Sequence, residues 1–328
     1  MMAPKRYPPR NPSWSMRREH LMCFLGLSLL LSSRGCLALA AASSKPRVAL
    51  VSGSNKGIGR EIVRLLANDE QDWVIFLGSR DESRGNQAVQ DLMKDLDEKN
   101  QKTSIVCCPL DLTDPTSIAR AKEMVEQQQG RLDVLINNAA ICFNDPTLYG
   151  KVPHTPFEQQ ADISIRTNFF GTLQVTQTML PLLQQSDYPP RIINIASAAG
   201  RLAILKNNQD LVEAFTSPKL QLTELESLLQ QFVQDVEAGV HASKGWPNTC
   251  YGMSKLGIIA MTKLMARDYV DSIMINSVDP GFCATDQNNN QGVLPAERGA
   301  VTPYLLATIT RDKFVTGKHF FQEQEIEW

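Results

Sequence analysis

No Cys-x-x-Cys pair, no internal repeat and no excess of charge of either sign occur in this sequence. The first absence removes the commonest zinc pattern, and no metal site is expected. The second removes solenoids and propellers. With 33 basic against 35 acidic residues the net charge is −2, which gives no electrostatic reason for a nucleic-acid partner. Long hydrophobic runs are missing too. The apolar run "LMCFLGLSLLL" at 21–31 is shorter than the roughly 20 residues that span a bilayer, although the weakly polar "SSRGCLALAAA" behind it leaves an uncleaved anchor open.

What is present is an ordinary globular composition, 43% hydrophobic and 21% charged over 328 residues. Such a chain can bury one large core after a leader is set aside. Arg17 and Arg18 precede the apolar run, and the small-residue stretch "CLALAAASS" follows it. This is a signal-peptide pattern with cleavage expected near Ala40 to Ala42, dividing the chain into a leader (1–43) and a single domain (44–328). Cys23 and Cys36 fall in the leader. Cys107, Cys108, Cys142, Cys250 and Cys283 fall in the body; an odd number, several at strand ends, is expected to be buried free thiols, which favours a reducing compartment. The leader points to the ER lumen or a plastid reached by the secretory route, whereas a misassigned start would leave the protein cytoplasmic.

From Lys45 onward apolar runs alternate with helical spacing. "RVALVSG" reads as a strand and Ile58 to Leu66 as a helix; "DWVIFLGS", "TSIVCCPLDL", "LDVLINNAA", "RIINIAS" and "SIMINSVDPG" read as further strands. Between them lie a polar helix to about Lys99, a helix opened by Asp114 as cap with Pro115 at its first position, a long helix from about Ala161 to Leu183, and one from about Tyr251 to Val270. Continuous apolar strands between helices imply an α/β, Rossmann-like, doubly wound parallel sheet with helices on both faces. Ligands bind such a sheet at the carboxyl ends of its strands.

"SGSNKGIGR" joins the first strand to the first helix and contains Gly53, Asn55, Lys56, Gly57, Ile58 and Gly59. Glycines there let the backbone approach a phosphate and set it at a positive helix end, so a dinucleotide is expected. The second strand ends "FLGSRDESRG". An acid at this point would hold a ribose 2′-hydroxyl and an arginine a 2′-phosphate; Arg80, Arg84 and Lys56 favour NADPH, and the opposite reading gives the ribose to Asp81.

Taken in order, "SGSNKGIG", "NNAA" at 137–140, Asn168 in "TNFFGT", Ser197 in "NIASAAG", "YGMSK" and "DPGFCATD" resemble a short-chain dehydrogenase/reductase, and more narrowly the monomeric NADPH-dependent carbonyl reductases. The resemblance covers nearly all of 46–328. It implies that Tyr251 is the proton donor, that Ser197 gives a second hydrogen bond, and that Lys255 lowers the tyrosine pKa and binds the nicotinamide ribose. Asn168 would hold a water of a proton relay. Chemistry supports these roles, because a carbonyl accepting hydride develops negative charge on oxygen. At about 4 Å and an effective dielectric of about 20, Lys255 would attract the phenolate by about 4 kcal/mol before desolvation. The resemblance also places Asp111 and Leu112 beside the adenine, with helix capping as the other reading of Asp111. Asn138, Ala139 and Ala140 would form the wall under the cofactor, and Pro280, Gly281, Phe282 and Thr285 would complete its site.

Ser197 and Tyr251 stand 54 positions apart, where many relatives have about a dozen. In this insertion, about 200–245, "TELESLLQQFVQDVEAG" has helical apolar spacing, Thr223 and Glu226 as a capping box, and Gly239 as a stop. The resemblance implies that this helix covers the surface through which other members dimerise, giving a monomer without an obligatory protein partner; a lid over the substrate site is the alternative. Ile141, Phe143, Trp246 and Phe282, with Ser197, are the candidate contacts to an apolar carbonyl substrate. Two departures are Phe282, often tryptophan in relatives, and Asp279, where close carbonyl reductases have cysteine. The expected activity is NADPH-dependent reduction of ketones, aldehydes or quinones. The alternatives are a dedicated biosynthetic step on a steroid, terpenoid, alkaloid or pigment, and an NADPH-binding sensor without turnover.

Overall fold

The computed structural model describes residues 45–96, 103–143, 155–310 and 315–328. The expected leader, with the cleavage expected near Ala40 to Ala42, lies outside the described residues. No helix among the described residues is long and apolar enough to cross a membrane.

Eight strands form one sheet in the order β3-β2-β1-β4-β5-β6-β7-β8: β1 (Arg47–Val51), β2 (Trp73–Ser79), β3 (Ser104–Pro109), β4 (Val134–Asn137), β5 (Arg191–Ile195), β6 (Met274–Asp279), β7 (His319–Phe321) and β8 (Gln324–Ile326). All neighbours pair in parallel except β7 and β8. The order reverses between β1 and β4, opening a crevice at the carboxyl ends of those strands. Short β7 and β8 carry only three residues each and were not legible as strands, since three residues give no periodicity to detect.

The helices are α1 (Gly57–Ala67), α2 (Glu82–Lys94), α3 (Pro115–Gln129), α4 (Phe157–Ile165), α5 (Thr172–Leu183), α6 (Gln209–Thr216), α7 (Leu222–Glu237), α8 (Cys250–Asp268) and α9 (Ala296–Thr308). One apolar cluster joins α1, α2 and α9 to one face of the sheet. A second joins α3, α5, α7 and α8 to the other. Both faces are therefore covered, as the continuous apolar strands require. Asp114 caps α3 by accepting from Thr116 N at 2.9 Å, with Pro115 at the first position. The expected long helix is two helices joined by a π-helical turn, Arg166–Gly171, with Asn168 inside it.

The insertion folds as α6 and α7. Its capping box is Gln221 with Glu224, not Thr223 with Glu226. Both pairs have a workable spacing, but the chain enters the helix two residues earlier, so Thr223 is already helical. Gly239 ends the helix in the left-handed region (φ 70°) as expected. Leu225, Leu229, Phe232 and Val236 are buried, and α7 packs on α4 and α8.

Candidate active site

The first turn of α8 carries Tyr251. Thr249 caps that turn by accepting from Gly252 N at 2.9 Å. The short 3-10 turn Ala198–Gly200, opened by Ser197, leans directly on it. A Cβ on Gly252 would lie 2.6 Å from Ala199 O, and one on Gly200 would lie 2.5 Å from the Lys255 carbonyl carbon. Only residues without side chains permit this approach, which brings Ser197 to the Tyr251 hydroxyl despite their 54-residue separation. Ser197 and Gln287 are both hydrogen-bonding neighbours of that hydroxyl.

Lys255 is 3% exposed. Its Nζ donates to Ile195 O at 2.7 Å and lies 5.7 Å from the centre of the Tyr251 ring. Burial pushes its pKa down to about 8. Burial and then Cys142 raise the Tyr251 pKa, against the pull of Gln287 and Ser197. This corrects the expectation that Lys255 lowers it: the ammonium is committed to a carbonyl, and among protein groups alone desolvation wins. The phenol is held protonated, which is the form that can donate. Burial likewise raises Cys142 and keeps it a thiol.

Asn168 is held by three side-chain hydrogen bonds. Its Oδ1 accepts from Ile141 N at 2.8 Å, and its Nδ2 donates to Ile141 O at 2.9 Å and to Ser254 Oγ at 3.0 Å. With these three bonds made and the residue 1% exposed, the side chain pins the segment after β4 to α8. Asn137 and Asn194, not singled out from the sequence, form a buried ladder beside it. Asn137 Nδ2 donates to Thr176 Oγ1 and Asn194 Oδ1, and Asn194 Nδ2 donates to Thr262 Oγ1, tying β4 and β5 to α5 and α8. Buried amides in consecutive strands were the available signal.

A cavity of about 540 Å³ runs along the crevice. Its walls include Gly53, Asn55, Lys56, Gly57, Ile58, Arg80, Asp111, Leu112, Asn138, Ala139, Ala140 and Thr285, most of the expected cofactor set. Gly53 and Gly57 have φ of 61° and 56°, and a Cβ on Gly53 would strike Ala139 Cα at 2.8 Å. Asn138 clips the loop by donating Nδ2 to Ser52 O and Gly53 O, each at 3.0 Å. The loop opens onto the head of α1, whose first turn has no acid, and Arg80 is exposed on the same wall. A positive helix end plus an arginine at the close of β2 fits an anionic dinucleotide with a 2′-phosphate. Lys56 crosses the crevice to Asp286 at 3.0 Å. Asp111 accepts from Thr113 N and Thr113 Oγ1, while Asp114 does the capping.

Arg84 does not line this cavity. It pairs with Asp81 at 3.4 Å, and Asp81 also caps α2 by accepting from Arg84 N; the helix turn brings the two together, so Asp81 is no free ribose ligand. Gly59 supports the loop from behind. Pro280, Gly281 and Phe282 lie outside the cavity wall, Gly281 N donating to Asp279 and Phe282 standing 44% exposed.

Of the substrate candidates, Ile141 lines the cavity together with Cys142, Ile163 and Gln287. Phe143 is half-buried just beyond. Trp246 is a correction: at 6% exposure it is a core residue, edge-on to Phe232 with centroids 5.7 Å apart and donating Nε1 to Asp235 at 2.8 Å. The insertion it follows buries it, through Phe232 and Asp235 of α7. Asp279, 3% exposed, sits 3.7 Å from Arg201 in the loop after Ser197. The described cysteines, Cys107, Cys108, Cys142, Cys250 and Cys283, are free.

The sequence profile of the short chain dehydrogenase family matches residues 47–209. NADPH carbonyl reductase 3 of Mus musculus is 38% identical over 82% of this chain and 94% of its own. NADPH carbonyl reductase 1 of Homo sapiens is 34% identical over 87% of this chain and 99% of its own. Among solved structures, menthone neomenthol reductase from Mentha piperita superposes with a TM-score of 0.71 at 30% identity, covering 86% of this chain and all of that one.

Proposed function

Since the chain belongs to the short-chain dehydrogenase family and has NADPH carbonyl reductases among its relatives, we propose that Tyr251, Ser197 and Lys255 carry out its NADPH-dependent reduction of small carbonyl compounds, with the substrate above Ile141. The observation that carries this reading is the turn opened by Ser197 packed against the first turn of α8, which bears a protonated Tyr251, beside Cys142 in the wall of a cavity that also presents the glycine loop and Arg80.

NADPH supplies the hydride when bound. The protein does the rest. Gly53, Gly57 and the head of α1 hold the pyrophosphate, and Arg80 holds the 2′-phosphate. Ser197 and Tyr251 orient the carbonyl by two hydrogen bonds, and the Tyr251 hydroxyl proton passes to the oxygen as charge develops there. Lys255, whose Nζ donates to Ile195 O, ties α8 to the end of β5 and would meet the nicotinamide ribose, and Asn168 keeps the Ile141 segment and α8 in register. Ile141 and Ile163 give the pocket an apolar wall, which suits ketones, aromatic aldehydes and quinones.

A dedicated biosynthetic ketone reduction is the second reading, favoured by the likeness to menthone neomenthol reductase. NADPH oxidation by the purified chain against quinones, dicarbonyls, aromatic aldehydes and cyclic terpenoid ketones, with NADH as control, separates the two. Broad turnover supports the first and a single productive ketone the second; turnover equal with NADH contradicts the role of Arg80.

The monomer reading is supported by α7, which covers the α4 and α8 surface; a dimeric mass by light scattering would overturn it. The secretory-route reading rests on the leader's composition alone. An intact N-terminus on protein isolated from its native cells contradicts cleavage near Ala40 to Ala42.

A further inference from the structure

We propose that Arg201 is a positioning residue for the proton transfer: its guanidinium balances the buried carboxylate of Asp279, ties the turn opened by Ser197 to the loop after β6, and keeps an unbalanced negative charge away from the phenolate that Tyr251 becomes. The inference rests on the reading of Tyr251 as proton donor.

The sheet places the two partners. β5 and β6 pair in parallel up to Ile195 and Val278, and Ala196 N donates to Val278 O at 2.7 Å just beyond. There the strands part. On one side Ser197 opens the turn Ala198–Gly200, with Arg201 directly after it. On the other, Asp279 ends β6 and the chain turns through Gly281 at φ 83°. Asp279 Oδ1 accepts from Gly281 N at 2.9 Å, and its Oδ2 lies 3.7 Å from Arg201 Nη2. One carboxylate thus holds both loops where the pairing of these strands stops.

A carboxylate only 3% exposed needs a counter-charge. Arg201, itself half-exposed, supplies it. Asp279 stands level with Ala196, one residue short of Ser197, so its charge lies close to the site of proton transfer. Burial first, then smaller causes that include the Asp279 charge, push the Tyr251 and Cys283 pKa values up. Without Arg201 that charge would act unbalanced, and proton transfer from Tyr251 would create a second anion near it. His319, which also faces Arg201, has its pKa pushed down to about 4, first by burial, and so carries no positive charge at neutral pH that could replace the guanidinium.

The test measures NADPH-dependent reduction of the best panel substrate by the full chain and by its Arg201→Gln, Arg201→Lys and Arg201→Gln/Asp279→Asn variants. NADPH affinity by fluorescence and urea unfolding run in parallel, separating an effect on chemistry from a loss of folded protein. The expected result is a kcat lower by about tenfold in Arg201→Gln, with NADPH affinity within about twofold of wild type and most of the rate kept by Arg201→Lys. The double variant should recover to within about threefold of wild type, since the amide still accepts from Gly281 N and needs no counter-charge. A kcat for Arg201→Gln within about twofold of wild type overturns the proposal alone. So does a double variant no faster than Arg201→Gln, because Arg201 would then act through packing and not through charge. A wild type that binds NADPH yet reduces nothing in the panel takes down the carbonyl-reduction reading and the proposal with it.

Discussion

At the two ends of the sheet, buried charge is treated in opposite ways. At the amino end, Asp133 is wholly buried and accepts from Val48 N at 2.7 Å and Ser186 Oγ at 2.5 Å, with Arg131 Nε 3.4 Å away. Arg191 donates to the carbonyls of Ala307 and Ile309, and the Arg47 guanidinium lies 4.7 Å from the Trp73 ring centre and 5.3 Å from that of Tyr188. At the carboxyl end, Tyr251 and Lys255 are desolvated beside a cavity, their pKa values pushed in opposite directions by burial. The first arrangement holds buried charge on backbone carbonyls, aromatic faces and a carboxylate, although Nε of Arg47, Arg131 and Arg191 finds no hydrogen-bond partner, and it serves stability. The second sets a desolvated proton donor next to Cys142, which lines the cavity, and serves chemistry.

That division can be tested by breaking its closed side. Asp133→Ala takes the acceptor from a strand N–H and one of the two carboxylates beside the buried Arg131, so urea unfolding is expected to show a loss of about 3–5 kcal/mol with KM for NADPH unchanged in the folded fraction. A large KM change would mean that the amino end is coupled to the site. His319 sharpens the same contrast by pH. It is 1% exposed, bonded to Ser277 at 2.9 Å, and its pKa is pushed down to about 4, first by burial and then by Arg201 and Lys263. The unfolded chain takes up this proton near pH 6.5 and the folded chain only near 4, so stability falls as pH drops through that window. The loss is about 3 kcal/mol, and His319→Asn should flatten that part of the pH–stability curve.

Trp246 tests where the site stops. Trp246→Phe removes the donor to Asp235, and a loss of about 1–3 kcal/mol in thermal or urea unfolding is expected without a shift in substrate preference; altered preference would return Trp246 to the pocket. Arg80→Ala probes the far end of the crevice. Loss of its charge-assisted bond should raise KM for NADPH about tenfold and leave NADH unaffected, whereas equal changes would reassign the 2′-phosphate contact.

Legibility followed the range of the interactions. The glycine loop, the Asp114–Pro115 start and the Tyr251–Lys255 spacing are local, and each sits where its sequence signal placed it. Arg80 and Arg84 read alike, because only the turn of α2 decides which of them meets Asp81. Trp246 read as a pocket aromatic because its burial depends on α7 folding back onto α8, a long-range event with no local mark. Asn168 was found as a site residue, but the three hydrogen bonds of its side chain to Ile141 and Ser254 were not, because they are a property of the packed fold. Gln287 had no motif at all and reaches the cavity wall only by the path of the loop after β6.

The central claim, that Tyr251 delivers the proton, is tested most directly by Tyr251→Phe in NADPH-dependent reduction of the best panel substrate, with NADPH affinity measured in parallel. The account predicts kcat lower by about 10²–10⁴-fold with NADPH affinity retained. A variant that binds NADPH and turns over at a rate close to wild type would contradict it.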